Sequence, residues 1–99
     1  MALTKWGFIY TLGVDAGTRR TDVVGSPGCV LVAVGVPSVD DAPAAARELV
    51  DEGVELIELC GAFGAPGTAA VVAAVGADVP VGGVLYGGEA TPGLNALFG

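Results

Sequence analysis

Glu58 is the residue in this chain that most invites a chemical explanation. It sits inside the apolar run Val54–Cys60 (VELIELC), where the two-residue period of a strand puts Val54, Leu56, Glu58 and Cys60 on one face and Glu55, Ile57 and Leu59 on the other. A carboxylate among leucine side chains loses hydration, and a desolvated carboxylate is a candidate general acid or base. The structural alternative is an ion pair with Arg19, Arg20 or Arg47, or an escape to solvent at the strand end. Glu55, near the strand start, reads as a solvated or edge carboxylate. Cys60 ends the run one position before a glycine loop, where the N-terminus of a following helix could activate its thiol. The chain has no histidine to assist it, and a thiol beside aliphatic neighbours is usually a small core hydrophobe.

Gly61, Gly64 and Gly67 give the spacing G-x-x-G-x-x-G between that strand and the next helix. Backbone N–H groups and the helix dipole can hold an anion or an oxyanion there. The spacing matches neither the dinucleotide fingerprint nor the Walker loop, and no lysine follows, so a carboxylate, carbonyl oxygen or enolate suits it better than a phosphate. Further on, Gly82, Gly83, Gly87 and Gly88 bracket Val84–Tyr86 and let a ligand come close, with Tyr86 and Glu89 offering a hydroxyl and a second carboxylate. Arg19 and Arg20 are two of three arginines in an acidic chain and could orient an anionic substrate group. The expected catalytic group is thus Glu58, Cys60 and Tyr86, and the expected substrate-binding group is Gly61, Phe63, Gly64, Arg19, Arg20, Tyr10 and Glu89.

These residues need elements to hold them. Lys5–Leu12 (KWGFIYTL) is aromatic and β-branched enough for a first strand. Cys29–Val36 (CVLVAVGV) is continuously apolar, as in a central strand covered on both faces. Val54–Cys60 and Val79–Tyr86 supply a third and a fourth strand. Between the second and third, Ser38 and Asp41 are capping residues and Pro43 belongs in a first turn. Ala42, Ala45, Ala46, Leu49 and Val50 then form one apolar helical stripe that stops at Gly53. A second helix runs from Pro66 to about Val75; it is alanine and valine on every side and is therefore expected to be buried on every side. Thr91–Phe98 suggests a short terminal helix. The stretch 13–28, with four glycines and Pro27, reads as a long loop and a candidate lid.

The pattern predicts a single α/β domain over residues 1–99: a small, mostly parallel four-stranded sheet with two crossover helices. Right-handed crossovers between sequential strands put both helices on one face. The other face, or the uncharged second helix, is then expected to be buried by another copy of the chain in a homo-oligomer.

Composition limits the partners. The 99 residues include 17 glycines, 16 alanines and 16 valines, and 53% are hydrophobic against 15% charged, which excludes disorder. Four basic and eleven acidic side chains give a net charge of −7, which repels a phosphate backbone and argues against nucleic acid. Residues 59–77 carry no charge, but four glycines and Pro66 interrupt them and no basic residue flanks them, so no membrane span is expected. No secretion signal is read at the N-terminus, so a cytoplasmic protein with free Cys29 and Cys60 thiols is expected. Without histidine or a Cys-x-x-Cys, no metal is expected, and no cofactor motif is present.

The segments Trp6-Gly7-Phe8-Ile9-Tyr10, Glu58-Leu59-Cys60-Gly61-x-Phe63-Gly64 and Val79-Pro80-Val81-Gly82 resemble a family of short single-domain proteins of unknown function. The likeness covers most of the chain and implies that the Glu58–Gly64 loop is a family feature. A fainter likeness is to part of a β/α-barrel of the keto-acid aldolase type, which implies a glutamate at Glu58 facing an active site. Lys5, the single lysine, stands at the start of the first strand and offers no Schiff base there. The function expected is a small-molecule site for a largely apolar carbonyl compound, worked without a cofactor by acid/base catalysis of an isomerase, cyclase or lyase type. The alternative is a non-catalytic ligand-binding or structural homo-oligomeric module.

Overall fold

A computed structural model describes residues 2–13 and 17–99. Its strands are β1 (Lys5–Thr11), β2 (Arg20–Ser26), β3 (Cys29–Val36), β4 (Ile57–Leu59) and β5 (Val81–Gly83), and its helices are α1 (Ala42–Asp51), α2 (Gly64–Val75) and α3 (Thr91–Phe98). The strands form one mixed sheet in the order β2-β3-β1-β4-β5. β1 lies at its centre, parallel to β3 along its whole length and to β4 over Gly7–Ile9. β5 extends the parallel part beyond β4, and β2 pairs antiparallel with β3 at the opposite edge.

The sheet has five strands, not four, because much of the stretch expected to be a loop is β2. Pro27 and Gly28 make the two-residue turn between Ser26 and Cys29, and proline's fixed φ suits such a turn. Seven residues of the expected lid over 13–28 therefore form an edge strand; its residues 14–16 lie outside those described. β4 and β5 are also shorter than their apolar runs, since each pairs over only three residues.

The polypeptide crosses from β3 through α1 to β4, passing over β1, and then from β4 through α2 to β5. Both parallel crossovers run the same way along the sheet, so right-handedness puts α1 and α2 on one face, where they pack on each other. α1 starts after a 3-10 turn at Val39–Asp41. In that turn Asp41 accepts hydrogen bonds from the Ser38 backbone N–H (3.1 Å) and hydroxyl (3.2 Å). Ala42, Ala45, Ala46 and Leu49 are buried along the expected stripe. Beneath them lie Ile9, Val32, Val34, Val36, Ile57 and Leu59, all on the helix side and at most 4% exposed. This is the core.

The other face is different. Trp6, Phe8 and Tyr10 of β1, Leu31 and Ala33 of β3, and Leu56 beside β4 point away from the helices and stay partly exposed. β3 was expected to be covered on both faces; α1 covers only one. Nor is α2 buried all round, since Val71 is its one buried residue. α3 is present as expected but packs chiefly on the 3-10 turn Gly88–Ala90 that precedes it, with Leu97 and Phe98 exposed. Among the described residues, no helix is long and apolar enough to cross a membrane.

The N-terminus is fastened by Glu55. Its carboxylate accepts hydrogen bonds from the Thr4 hydroxyl (2.7 Å), the Thr4 N–H (2.7 Å) and the Lys5 N–H (2.9 Å), tying the start of β1 to the residues before β4. These donors, the Thr4 hydroxyl first, hold the carboxyl below the usual carboxylate range. A carboxyl whose folded value is lower than its unfolded one stabilises fully above the unfolded value and loses that contribution as pH falls through the folded one. Glu55→Gln should therefore lower Tm by a few degrees at neutral pH, and the two melting curves should converge on acidification. A constant Tm difference down to acid pH would rule this out.

Candidate functional site

The carboxyl ends of β4 and β5 face α2, and an open groove of about 730 Å³ lies between them. Its floor is one helical stripe, Ala65, Thr68, Ala69, Val72 and Ala73, with Gly64 and Cys60 at one end and Gly83, Val84 and Leu85 along the facing wall. The i, i+3, i+4, i+7, i+8 spacing puts all five stripe residues on one side of α2. Two local features shape the groove. The Thr68 hydroxyl donates to the Gly64 carbonyl (2.7 Å), so its polar atom is satisfied within the helix. Gly83 allows the close approach of β5, because a Cβ there would stand 3.1 Å from the Thr68 hydroxyl.

The groove has one polar end. α2 begins with Phe63 at its N-cap, which provides no side-chain hydrogen bond. Helices leave their first N–H groups without intrahelical acceptors. Gly64 and Ala65 line that end of the groove, and the helix dipole there favours a negative or carbonyl oxygen.

The structure brings together part of the predicted constellation. Cys60 is half-buried and lines the groove, Gly64 opens α2 at φ 61°, and Tyr86 lies across Gly61. An added Cβ at Gly61 would be 2.9 Å from the Tyr86 ring, so the ring position requires glycine.

Glu58 differs from expectation. It sits in β4 between Phe8 of β1 and Gly82 of β5, but its side chain is exposed. The neighbours expected to strip its hydration do not do so: Cys60 lines the α2 groove and packs against the core, and no helix covers the Glu58 face among the described residues. A shallow depression of about 300 Å³, lined in part by Leu56, Pro80 and Gly82, lies beside it.

The arginines also stand elsewhere. Arg19 pairs with Glu48 of α1 (2.8 Å) and Arg20 with Asp22 of β2 (2.8 Å). The Asp22 hydrogen bond raises the Arg20 guanidinium above its ordinary range. Neither is paired with Glu58, which overturns the arginine partner considered above. Phe63 is a core residue, 5% exposed, with its ring against Gly67. Tyr10 stacks on Phe8 on the open face, ring centroids 6.1 Å apart. Glu89 folds its carboxylate back over Gly87. Cys29 and Cys60 are free thiols, half-buried rather than buried.

Sequence reasoning missed the stripe on α2. Its spacing was legible, but a helix apolar on all sides gave no indication of which side would be left open.

A sheet covered on one face by two helices, with an apolar groove at the strand ends, defines a small two-layer α/β protein. The chain belongs to a family of unknown function (DUF6506), whose sequence pattern matches residues 4–99. The resemblance carried by the Trp6–Tyr10 and Glu58–Gly64 segments pointed to such a family of short single-domain proteins. No curated protein and no solved structure matches the chain.

Proposed function

We propose that the protein is a binding module for a small amphipathic molecule with an apolar tail and a carboxylate or carbonyl head. The tail lies along Ala65, Ala69, Val72 and Ala73 against Val84 and Leu85. The head accepts hydrogen bonds from the N–H groups of Gly64 and Ala65. The observation that carries this reading is the groove itself, whose size falls among small-molecule sites and whose lining is apolar except at one end. From Ala65 to Ala73 the helix rises by about 12 Å, room for an extended chain of roughly eight to ten carbons. Acid/base catalysis by Glu58 asks for a desolvated carboxylate beside the bound molecule, and the exposed Glu58 of a single copy does not supply one.

Calorimetric titration with straight-chain carboxylates tests this. Each buried methylene contributes about 0.8 kcal/mol, so decanoate should bind roughly tenfold more tightly than octanoate, and decane-1-sulfonamide or decanol less tightly than decanoate. Equal affinity across chain lengths, or no binding of any of them, would contradict the groove as the site.

A further inference from the structure

We propose that the uncovered sheet face is the contact surface between two copies of this chain, packed face to face about a twofold axis. The groove plays no part in this, and the proposal stands or falls apart from ligand binding.

The face is built for contact. Trp6, Phe8, Tyr10, Leu31, Leu56 and Val24 project from adjacent strands on one side, opposite the helices. Aromatic side chains of this kind are enriched in the cores of protein interfaces. The Phe8–Tyr10 stack gives the centre a rigid surface, and the depression beside Gly82 gives it a concavity into which a large side chain of a second copy can insert.

Charge placement selects the same partner. The chain carries −7, which opposes self-association through most of its surface. Yet Asp40, Asp41, Glu48, Asp51 and Glu52 all lie in the 3-10 turn, α1 and its C-cap, on the helix layer. Among the described residues, the open face holds the internally paired Arg20 and Asp22 and one unpaired carboxylate, Glu58. Two copies meeting through their sheets keep their acidic layers outermost and furthest apart. Among the described residues, an anionic membrane or nucleic acid would find no unpaired basic residue on this face.

Trp6 is the chain's only tryptophan and lies on the face in question, so the full-length protein reports on its own contact. Sedimentation velocity and acrylamide quenching of Trp6, followed together from micromolar to submillimolar concentration, should show the mass doubling while the quenching constant falls by at least half. Phe8→Glu should remain monomeric, with an unchanged far-ultraviolet spectrum. Should that variant fail to fold, Glu58→Leu provides the opposite readout: removing the one unpaired charge from the contact should lower the dimer dissociation constant about tenfold. A wild-type monomer throughout overturns the proposal, as does a doubling that leaves Trp6 quenching unchanged, which would place the contact on α2 or α3. A monomer with Trp6 already protected also overturns it, because a segment of the same chain would then cover the face.

Discussion

Leu49→Ala should lower the unfolding free energy by about 3 kcal/mol, within the roughly 2–5 kcal/mol range of buried leucine truncations. Leu49 is 2% exposed and fixes α1 to the centre of the sheet. Its Cδ1 atom occupies the space that a side chain at Gly7 would need, 2.9 Å from an ideal Cβ on that residue. The missing Cβ on β1 and the leucine on α1 are therefore two halves of one fit. A chain of this length has a total stability of about 5–15 kcal/mol, so the loss is a large share of the whole. Urea denaturation should show it as a lower midpoint at unchanged slope. The fit makes a second demand: Gly7→Ala should be destabilising alone, by about 1–3 kcal/mol through crowding, and much less so when Leu49 is already alanine. Additive effects of the two substitutions would show that the contact is not shared. Val23→Ala, on the exposed edge strand, should change stability by less than about 0.5 kcal/mol.

Ala69→Phe should weaken decanoate binding about 50-fold while leaving the fold intact. Ala69 is exposed midway along the α2 stripe, so a larger side chain there enters the groove and not the core. A benzyl group displacing three methylenes of ligand from apolar contact removes about 2.4 kcal/mol at about 0.8 kcal/mol per methylene. The intrinsic helix cost of phenylalanine against alanine is only about 0.5 kcal/mol, so the melting temperature should change little. Ala70→Phe provides the control, because Ala70 is exposed on α2 but lies off the groove. Equal losses from both substitutions would mean that the effect is on the helix and not on the site.

What the sequence disclosed follows from where burial leaves a periodic mark. α1 was legible residue by residue, since its Ala42–Leu49 stripe faces a core and its charged residues face water. The alternation around β4 was legible too: Ile57 and Leu59 are buried and Glu58 points the other way. β2 was not, because it is an edge strand whose residues are mostly exposed on both sides, and its arginine, threonine, aspartate, glycine and serine have the composition of a loop. The signal that could have found it was Val23-Val24 followed by the Pro27-Gly28 turn into an apolar strand.

The candidate site was legible in place more than in content. The strand ends and the glycine loop do border the groove, with Cys60 and Gly64 in its lining, and Tyr86 lies across Gly61. Glu58 was misjudged because its sequence neighbours are apolar, while hydration depends on what covers the face. Two of those neighbours, Ile57 and Leu59, point into the opposite layer. α2 was misjudged for a related reason: alanine and valine raise hydropathy without requiring burial, and only the position of the helix beside the edge strand β5 decides which of its sides is covered.

The central claim is that an apolar tail lies along α2 with its polar head at the helix start. The most direct measurement is an amide chemical-shift titration of the isotope-labelled full-length protein with decanoate. The claim predicts shifts concentrated at Gly64, Ala65, Thr68, Ala69, Val72, Ala73, Val84 and Leu85, with Gly64 and Ala65 moving most as the carboxylate accepts their hydrogen bonds. Shifts centred instead on Trp6, Phe8 and Leu31, or none at saturating ligand, would contradict it.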